Sequence, residues 1–393
     1  MYAEVLFNMI KMEEDIDFLQ KTCYNFIEIF KGDFYIMILA KIDKNFALET
    51  SITRKDVVWF NIKNAPFEIH GLYDPKNTER FIRMPEDIAK TVSDAVWDLN
   101  HRTAGGRVRF STDSPFVAIK ALQKTMHHSP HMTHAMQNGF DLFSTRNGIY
   151  SFAGAFIPPV DSKGGFEQLR DVIGHTGKMD TYTLNFPLYG EVEDLYIGIK
   201  EGCHISSPEK YRDIKPVVYY GSSITEGGCA SRPGNCYPAI ISHRYNLDYI
   251  NLGFSGSCKA EVPMAEYLRE LDMSIFVCDY DYNASFEHLQ ESHYRLYEIF
   301  REKQPDTPYI MITLPNAWLF NDGIAKRKEI IFESYKKAKA LGDKNVYFID
   351  GKDLFGSDNW DNCTVDGTHP NDLGFYRMAE RIGLTIKEII ERF

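Results

Sequence analysis

Five short apolar runs, at 216–220, 249–252, 274–278, 309–313 and 346–349, punctuate the C-terminal half of this chain. They carry almost nothing polar to turn toward water. Each is therefore read as a strand covered on both faces, and strands of that kind form parallel sheets. The stretches between and after them, at 237–245, 264–271, 286–303, 324–341 and 372–392, carry apolar residues at helical spacing. Strand and helix in alternation predict an α/β fold over residues 214–393, with helices on both faces of the sheet.

Upstream the texture differs. Between 45 and 205, runs rich in β-branched and aromatic residues recur at 57–60, 107–110, 116–119, 149–152, 181–184 and 195–199, separated by Gly, Asn, Asp and Pro. That pattern predicts a β sandwich or jelly roll. A chain of 393 residues is too long for one ordinary core, so the two textures are read as two domains, 45–205 and 214–393. Residues 1–44 mix a helical-looking stretch with a short apolar run and carry no site signal. They are read as a leader whose structure the sequence leaves open.

The net charge of -11 argues against a nucleic-acid partner, whose binders carry a basic excess, and against an anionic membrane. No apolar stretch reaches the roughly 20 residues of a membrane span. The N-terminus lacks the parts of a signal peptide, so a cytoplasmic protein is expected. The seven cysteines are odd in number and irregularly spaced, a pattern of free thiols rather than of a disulfide framework.

In an open parallel sheet, ligands bind beyond the carboxyl ends of the strands. After the first apolar run comes Gly221-Ser222-Ser223-Ile224-Thr225. After the second comes Gly253-Phe254-Ser255-Gly256-Ser257, and after the third Asp279-Tyr280-Asp281-Tyr282-Asn283. Just before the last helix comes Val365-Asp366-Gly367-Thr368-His369-Pro370. A serine needs a base to become a nucleophile, and the base needs an orienting group. Asp366 and His369, three residues apart across a glycine, can meet in a tight turn. The carboxylate then holds one ring nitrogen and leaves the other for a serine. Gly256 offers a backbone N–H and Asn283 a side-chain amide, which with the serine's own N–H can surround an oxyanion. Taken singly, Ser223 also fits a plain helix N-cap, and Gly256 a plain turn.

As a set and in this order, these blocks resemble the SGNH (GDSL-like) hydrolase family over residues 214–393. The resemblance implies a flavodoxin-like three-layer α/β/α domain. It implies Ser223 as nucleophile, His369 as base and Asp366 as its orienting group. The amides of Ser223 and Gly256 and the side chain of Asn283 would form the oxyanion hole. Upstream, Pro130-His131-Met132-Thr133 and Gly139-Phe140-Asp141-Leu142-Phe143 resemble the Gly-x-Asp-Leu-Tyr β domain fused ahead of one SGNH subgroup. The loop from Gly227 to Gly234 is similar to that subgroup's loop, and Arg232 within it is a candidate substrate contact, with a plain ion pair as the alternative. There are departures. Ser222 stands where the family has Asp, and Phe143 where the motif has Tyr. The third block departs from Gly-x-Asn-Asp, so an ungapped count puts Asp281, and a short shift Asn283, in the asparagine's place. Asn283 is preferred, because a carboxylate would repel an oxyanion.

The implied activity is that of an ester hydrolase needing no cofactor. Short acyl groups, acetyl above all, on carbohydrate or another small molecule are the expected substrates. A thioesterase or lysophospholipase, an acyltransferase, and a catalytically weak glycan-binding protein are the alternatives. His127, His128, His131 and His134 invite a metal reading. Their spacing is loose, however, and no Cys or carboxylate lies nearby in sequence to complete a set. They are read as a loop at the domain junction, with no metal expected. The sequence leaves the oligomeric state open.

Overall fold

The computed structural model describes residues 52–315 and 322–393. The leader read at residues 1–44 lies outside the described residues. In chain order the first part holds β1 (Val57–Asn61), β2 (Glu68–His70), α1 (Glu86–Val92), α2 (Asp94–Leu99), β3 (Arg107–Thr112) and β4 (Phe116–Leu122). There follow α3 (His134–Asn138), β5 (Phe140–Arg146), β6 (Ile149–Phe156), β7 (Phe166–Asp171), β8 (Asp180–Asn185), β9 (Asp194–Lys200) and β10 (Ile205–Ser206).

These strands form two antiparallel sheets, ordered β1-β9-β4-β7 and β10-β3-β8-β5-β6, with β2 added on β3. The period of two along each strand explains the core between them. Val117, Ile119 and Ala121 of β4 and Leu195, Ile197 and Ile199 of β9 line one inner face. Val108 and Phe110 of β3, Tyr182 and Leu184 of β8, and Phe140 and Leu142 of β5 belong to the same core. The expected β sandwich is what these residues build.

The second part holds β11 (Val217–Gly221), α4 (Ser223–Glu226), α5 (Tyr237–Tyr245), β12 (Tyr249–Gly253), α6 (Val262–Glu270) and β13 (Ile275–Asp279). It continues with α7 (Phe286–Arg301), β14 (Tyr309–Ile312), α8 (Asp322–Ala340), β15 (Val346–Ile349) and α9 (Asp372–Ile390). The five strands are parallel, in the order β12-β11-β13-β14-β15. That is the flavodoxin-like order. Alternate residues face opposite layers. Val217, Tyr219, Ile275, Val277, Ile310 and Ile312 pack with Ile241 of α5 and Phe375, Met378 and Ile382 of α9. Val218, Tyr220, Phe276, Cys278, Tyr309 and Met311 pack with Met264 and Leu268 of α6 and Leu289, Leu296 and Phe300 of α7.

The two parts share their cores. Met84, Ala89, Val96 and Leu99, in and around α1 and α2, join the layer of α6. Ala104, Met136, Leu188 and Tyr189 join the layer of α5 and α9. Two buried arginines of the first part reach across to β12 and its flanks. Arg83 donates to the carbonyls of Leu99 (2.6 Å) and Gly253 and lies over the Phe254 ring. Arg107 donates to the Tyr249 carbonyl (3.1 Å) and pairs with Asp248. Buried cations persist only with such partners. Among the described residues no helix is long and apolar enough to cross a membrane.

Candidate active site

β11 ends at Gly221. A Cβ there would fall 2.0 Å from Thr225 Oγ1 and 2.5 Å from the Asp279 carbonyl oxygen, so the turn from strand to helix closes only on glycine. The next residue, Ser222, is the N-cap of α4, its hydroxyl accepting the Ile224 N–H at 3.2 Å. Serine caps about as well as the aspartate it replaces. Ser223 is thus the first helical residue rather than the cap, and its hydroxyl is left for another partner. That partner is His369 Nε2, at 2.9 Å.

The Asp366–His369 turn closes as its spacing implies, with the Val365 N–H donating to the His369 carbonyl at 2.9 Å. Asp366 Oδ2 holds His369 Nδ1 at 2.7 Å. Its Oδ1 accepts the N–H groups of His369 (2.7 Å) and Thr368 (3.0 Å). Partial burial pushes this carboxyl up, but the bonds from His369 and Thr368 outweigh burial and bring it down to about 2. Asp366 is therefore an anion at any working pH.

β12, β11 and β13 end level, Gly221 pairing in register with Gly253 on one side and Asp279 on the other. The turns that follow them therefore emerge side by side. Gly256 sits in the first of these with φ +71, a left-handed conformation that glycine adopts without strain. Asn283 closes the short 3-10 turn after β13, and its Oδ1 accepts the Cys258 N–H at 3.3 Å. Asp281, the competing residue, is buried and turned away. It accepts Arg327 Nε at 2.8 Å and the Leu314 N–H at 3.0 Å.

Sequence reasoning passed over a support beneath this turn. Glu226 is wholly buried, and its Oε2 accepts both the N–H (3.0 Å) and the hydroxyl of Ser255, the neighbour of Gly256. Its Oε1 lies 3.5 Å from Arg102. The Ser255 hydroxyl also meets the Tyr189 hydroxyl at 2.9 Å. Glu226 directly follows the first recognised block, and Ser255 stands inside the second. Arg102 and Tyr189 come from distant segments and carry no sequence signal.

Arg232, the candidate substrate contact, has its Nε 3.3 Å from Asp141 and its guanidinium 4.1 Å above the Phe152 ring. Asp141 is the aspartate of the Gly-x-Asp-Leu motif. It also accepts the Gly234 N–H and the Asn185 amide, each at 2.9 Å. Burial pushes Asp141 up to about 6. The motif thus grips the loop that follows Ser223. Phe143 lies against the same loop, where a Cβ on Gly234 would come within 2.4 Å of its ring. The histidine loop, read as a junction segment, reaches the site itself. The His131 ring centre is 5.5 Å from that of His369, and His127 packs on Tyr189.

Residues 214–387 match the model of the GDSL-like Lipase/Acylhydrolase family, and residues 57–205 match that of the GxDLY N-terminus of SGNH-hydrolase-type esterases. A protein of GDSL-like lipase type from Bacteroides ovatus is 31% identical, with a TM-score of 0.77, over 85% of this chain and 98% of that one. Salicylyl-acyltransferase SsfX3, from a tetracycline biosynthetic pathway, is 17% identical with a TM-score of 0.69, over 85% of this chain and 98% of its own. A family two carbohydrate esterase from Clostridium thermocellum, in complex with cellohexaose, is 15% identical with a TM-score of 0.59. That match covers 83% of this chain and 100% of the esterase. These last two likenesses are of fold. No curated protein matches the chain.

Proposed function

The chain belongs to the GDSL-like lipase/acylhydrolase family and is an ester hydrolase, and we propose that it removes short acyl groups, acetyl foremost, from carbohydrate through an acyl-enzyme on Ser223. The observation that carries this reading is the unbroken line from Ser223 Oγ to His369 Nε2 and from His369 Nδ1 to Asp366, with links of 2.9 and 2.7 Å.

The Ser223 oxygen attacks the acyl carbon while His369 Nε2 takes its proton. Asp366 accepts the Nδ1–H bond, holds the ring's tautomer and stabilises the imidazolium. The N–H groups of Ser223 and Gly256 and the Asn283 amide receive the charge on the former carbonyl oxygen. His369 then protonates the leaving alcohol. Water, deprotonated by the same nitrogen, releases the acid and restores Ser223.

Polar groups close to Ser223 and His369 support a polar alcohol: the His131 ring beside His369, and the Tyr189 hydroxyl, which lies with the Ser223 carbonyl and the His369 ring around Gly228. The fold shared with a carbohydrate esterase supports a sugar as that alcohol. The test is hydrolysis of p-nitrophenyl acetate, butyrate and octanoate by wild type and Ser223→Ala, followed by acetate release from acetylated sugars. Acetate turnover that vanishes in the variant is expected. Preference for octanoate would move the substrate to lipid or thioester. Acyl sugar formed in place of free acid would make the protein a transferase, and equal rates in both proteins would remove Ser223 from the chemistry.

A further inference from the structure

We propose that His131, Cys229 and His369 form a site for a thiophilic d10 cation, zinc foremost, and that its occupation switches the esterase off. One ring nitrogen from each histidine and the Cys229 sulfur lie within 4.8 Å of one another. Two imidazoles and a thiol are a borderline-soft donor set of the kind zinc takes, with bonds of about 2.0–2.1 Å to nitrogen and about 2.3 Å to sulfur. Closing on the ion asks for a small inward movement. His131 is exposed and can supply it.

The backbone already aims the thiol. Cys229 holds φ +74, which residues other than glycine seldom adopt. Its Sγ meets the His131 carbonyl at 3.5 Å. In that contact Sγ is the donor, so the site holds a protonated thiol. A cation entering it displaces that proton to solvent and is bound by the thiolate, with no change of oxidation state. Asp366 occupies His369 Nδ1, which leaves Nε2 as the metal-binding atom. A carboxylate behind the ring is the usual support of a metal-bound histidine. Nε2 is also the atom that holds Ser223, so an ion there removes the base from the reaction. Water completes the fourth position.

The inhibition rests on the function proposed above; the binding does not. Two measurements separate them. Cobalt(II), as a visible stand-in for zinc, is titrated into Ser223→Ala, Ser223→Ala/Cys229→Ala and Ser223→Ala/His131→Ala, reading the thiolate-to-cobalt charge-transfer band and the stoichiometry. Zinc inhibition of ester hydrolysis is then measured for wild type, Cys229→Ala and His131→Ala. One cobalt per chain is expected, with a band lost in Cys229→Ala and binding weakened in His131→Ala. Cys229→Ala should keep its activity without metal, and both single variants, each read against its own metal-free rate, should need at least the roughly 10–100-fold more zinc that loss of even an outer-shell partner costs. Inhibition should reverse with a chelator. Absence of the band in the Ser223→Ala chain would overturn the site whatever the esterase does. Equal zinc sensitivity in all three proteins would overturn the switch.

Discussion

Asp372, the first residue of α9, accepts two hydrogen bonds from Ser231, from its N–H at 2.8 Å and from its hydroxyl at 2.6 Å. Asn235 adds a third at 2.8 Å. The helix that follows His369 is thereby tied to the loop that follows Ser223. The separation of base and nucleophile is set by this clamp as well as by the sheet.

Asp372→Ala should therefore act on chemistry as well as stability. Losing an anionic acceptor costs about 1.5–3 kcal/mol. The expected result is a lower kcat with KM little changed, and partial recovery in Asp372→Asn, which keeps one acceptor. Denaturant unfolding and steady-state kinetics on one ester check both. A destabilised variant with wild-type kcat would confine the clamp to stability.

Ser223→Ala and His369→Ala should each abolish nearly all turnover, roughly 10⁶-fold in kcat, and the double variant should lose little more, because the three residues act as a unit. Asp366→Asn should cost roughly 10⁴-fold, since an amide favours the wrong ring tautomer. Rates multiplying in the double variant would sink the assignment.

Asn283 and Asp281 should separate cleanly. Asn283→Ala is expected to lower kcat by about 10²–10³-fold with little loss of stability, as removal of one oxyanion donor does. Asp281→Ala takes the carboxylate from the part-buried Arg327 and leaves the Leu314 N–H without its acceptor, and should cost about 1.5–3 kcal/mol of stability. Thermal unfolding beside kcat decides. A reversed pattern would hand the oxyanion role to the Asp281 turn.

Asp279 predicts a pH dependence of stability. Burial raises its carboxyl from 3.8 to about 7, and Asp281 adds to the rise, against hydrogen bonds from Thr225 and Tyr237. The folded protein thus keeps a proton that the unfolded chain gives up, so stability falls as pH climbs between those two values. Asp279→Asn should flatten that fall, and Asp141, raised to about 6, should keep a smaller one. Urea midpoints at about pH 5 and about pH 8 test it. An unchanged slope would mean that Asp279 ionises in the fold.

Some of this was legible in the chain and some was not. All five apolar runs became strands, because a strand buried on both faces must be apolar throughout. β7 escaped notice for a definite reason: Gln168 sits buried within it, bonded to the N–H (2.8 Å) and carbonyl (3.2 Å) of Ile157, and breaks the alternation. Helices α1 and α2 are too short to show a period, and α6 begins at Val262, earlier than its apolar spacing suggests, with Pro263 in its first turn. Asp366 and His369 could be paired from spacing alone, since one turn brings them together.

What the sequence by itself determined is local: strand, helix and turn, and which reactive side chains end at the same edge of a sheet. Those follow from periodicity, caps and short-range geometry. Only the tertiary structure shows Asp281 claimed by a partner 46 residues away, Arg327, while the Asn283 side chain turns to the Cys258 N–H. Only packing turned Arg232 onto Asp141, set Glu226 beneath Ser255, and brought His131 and Cys229 up to His369. Those contacts join segments that are distant along the chain, and they exist only once buried apolar surface has drawn the two parts onto one shared core.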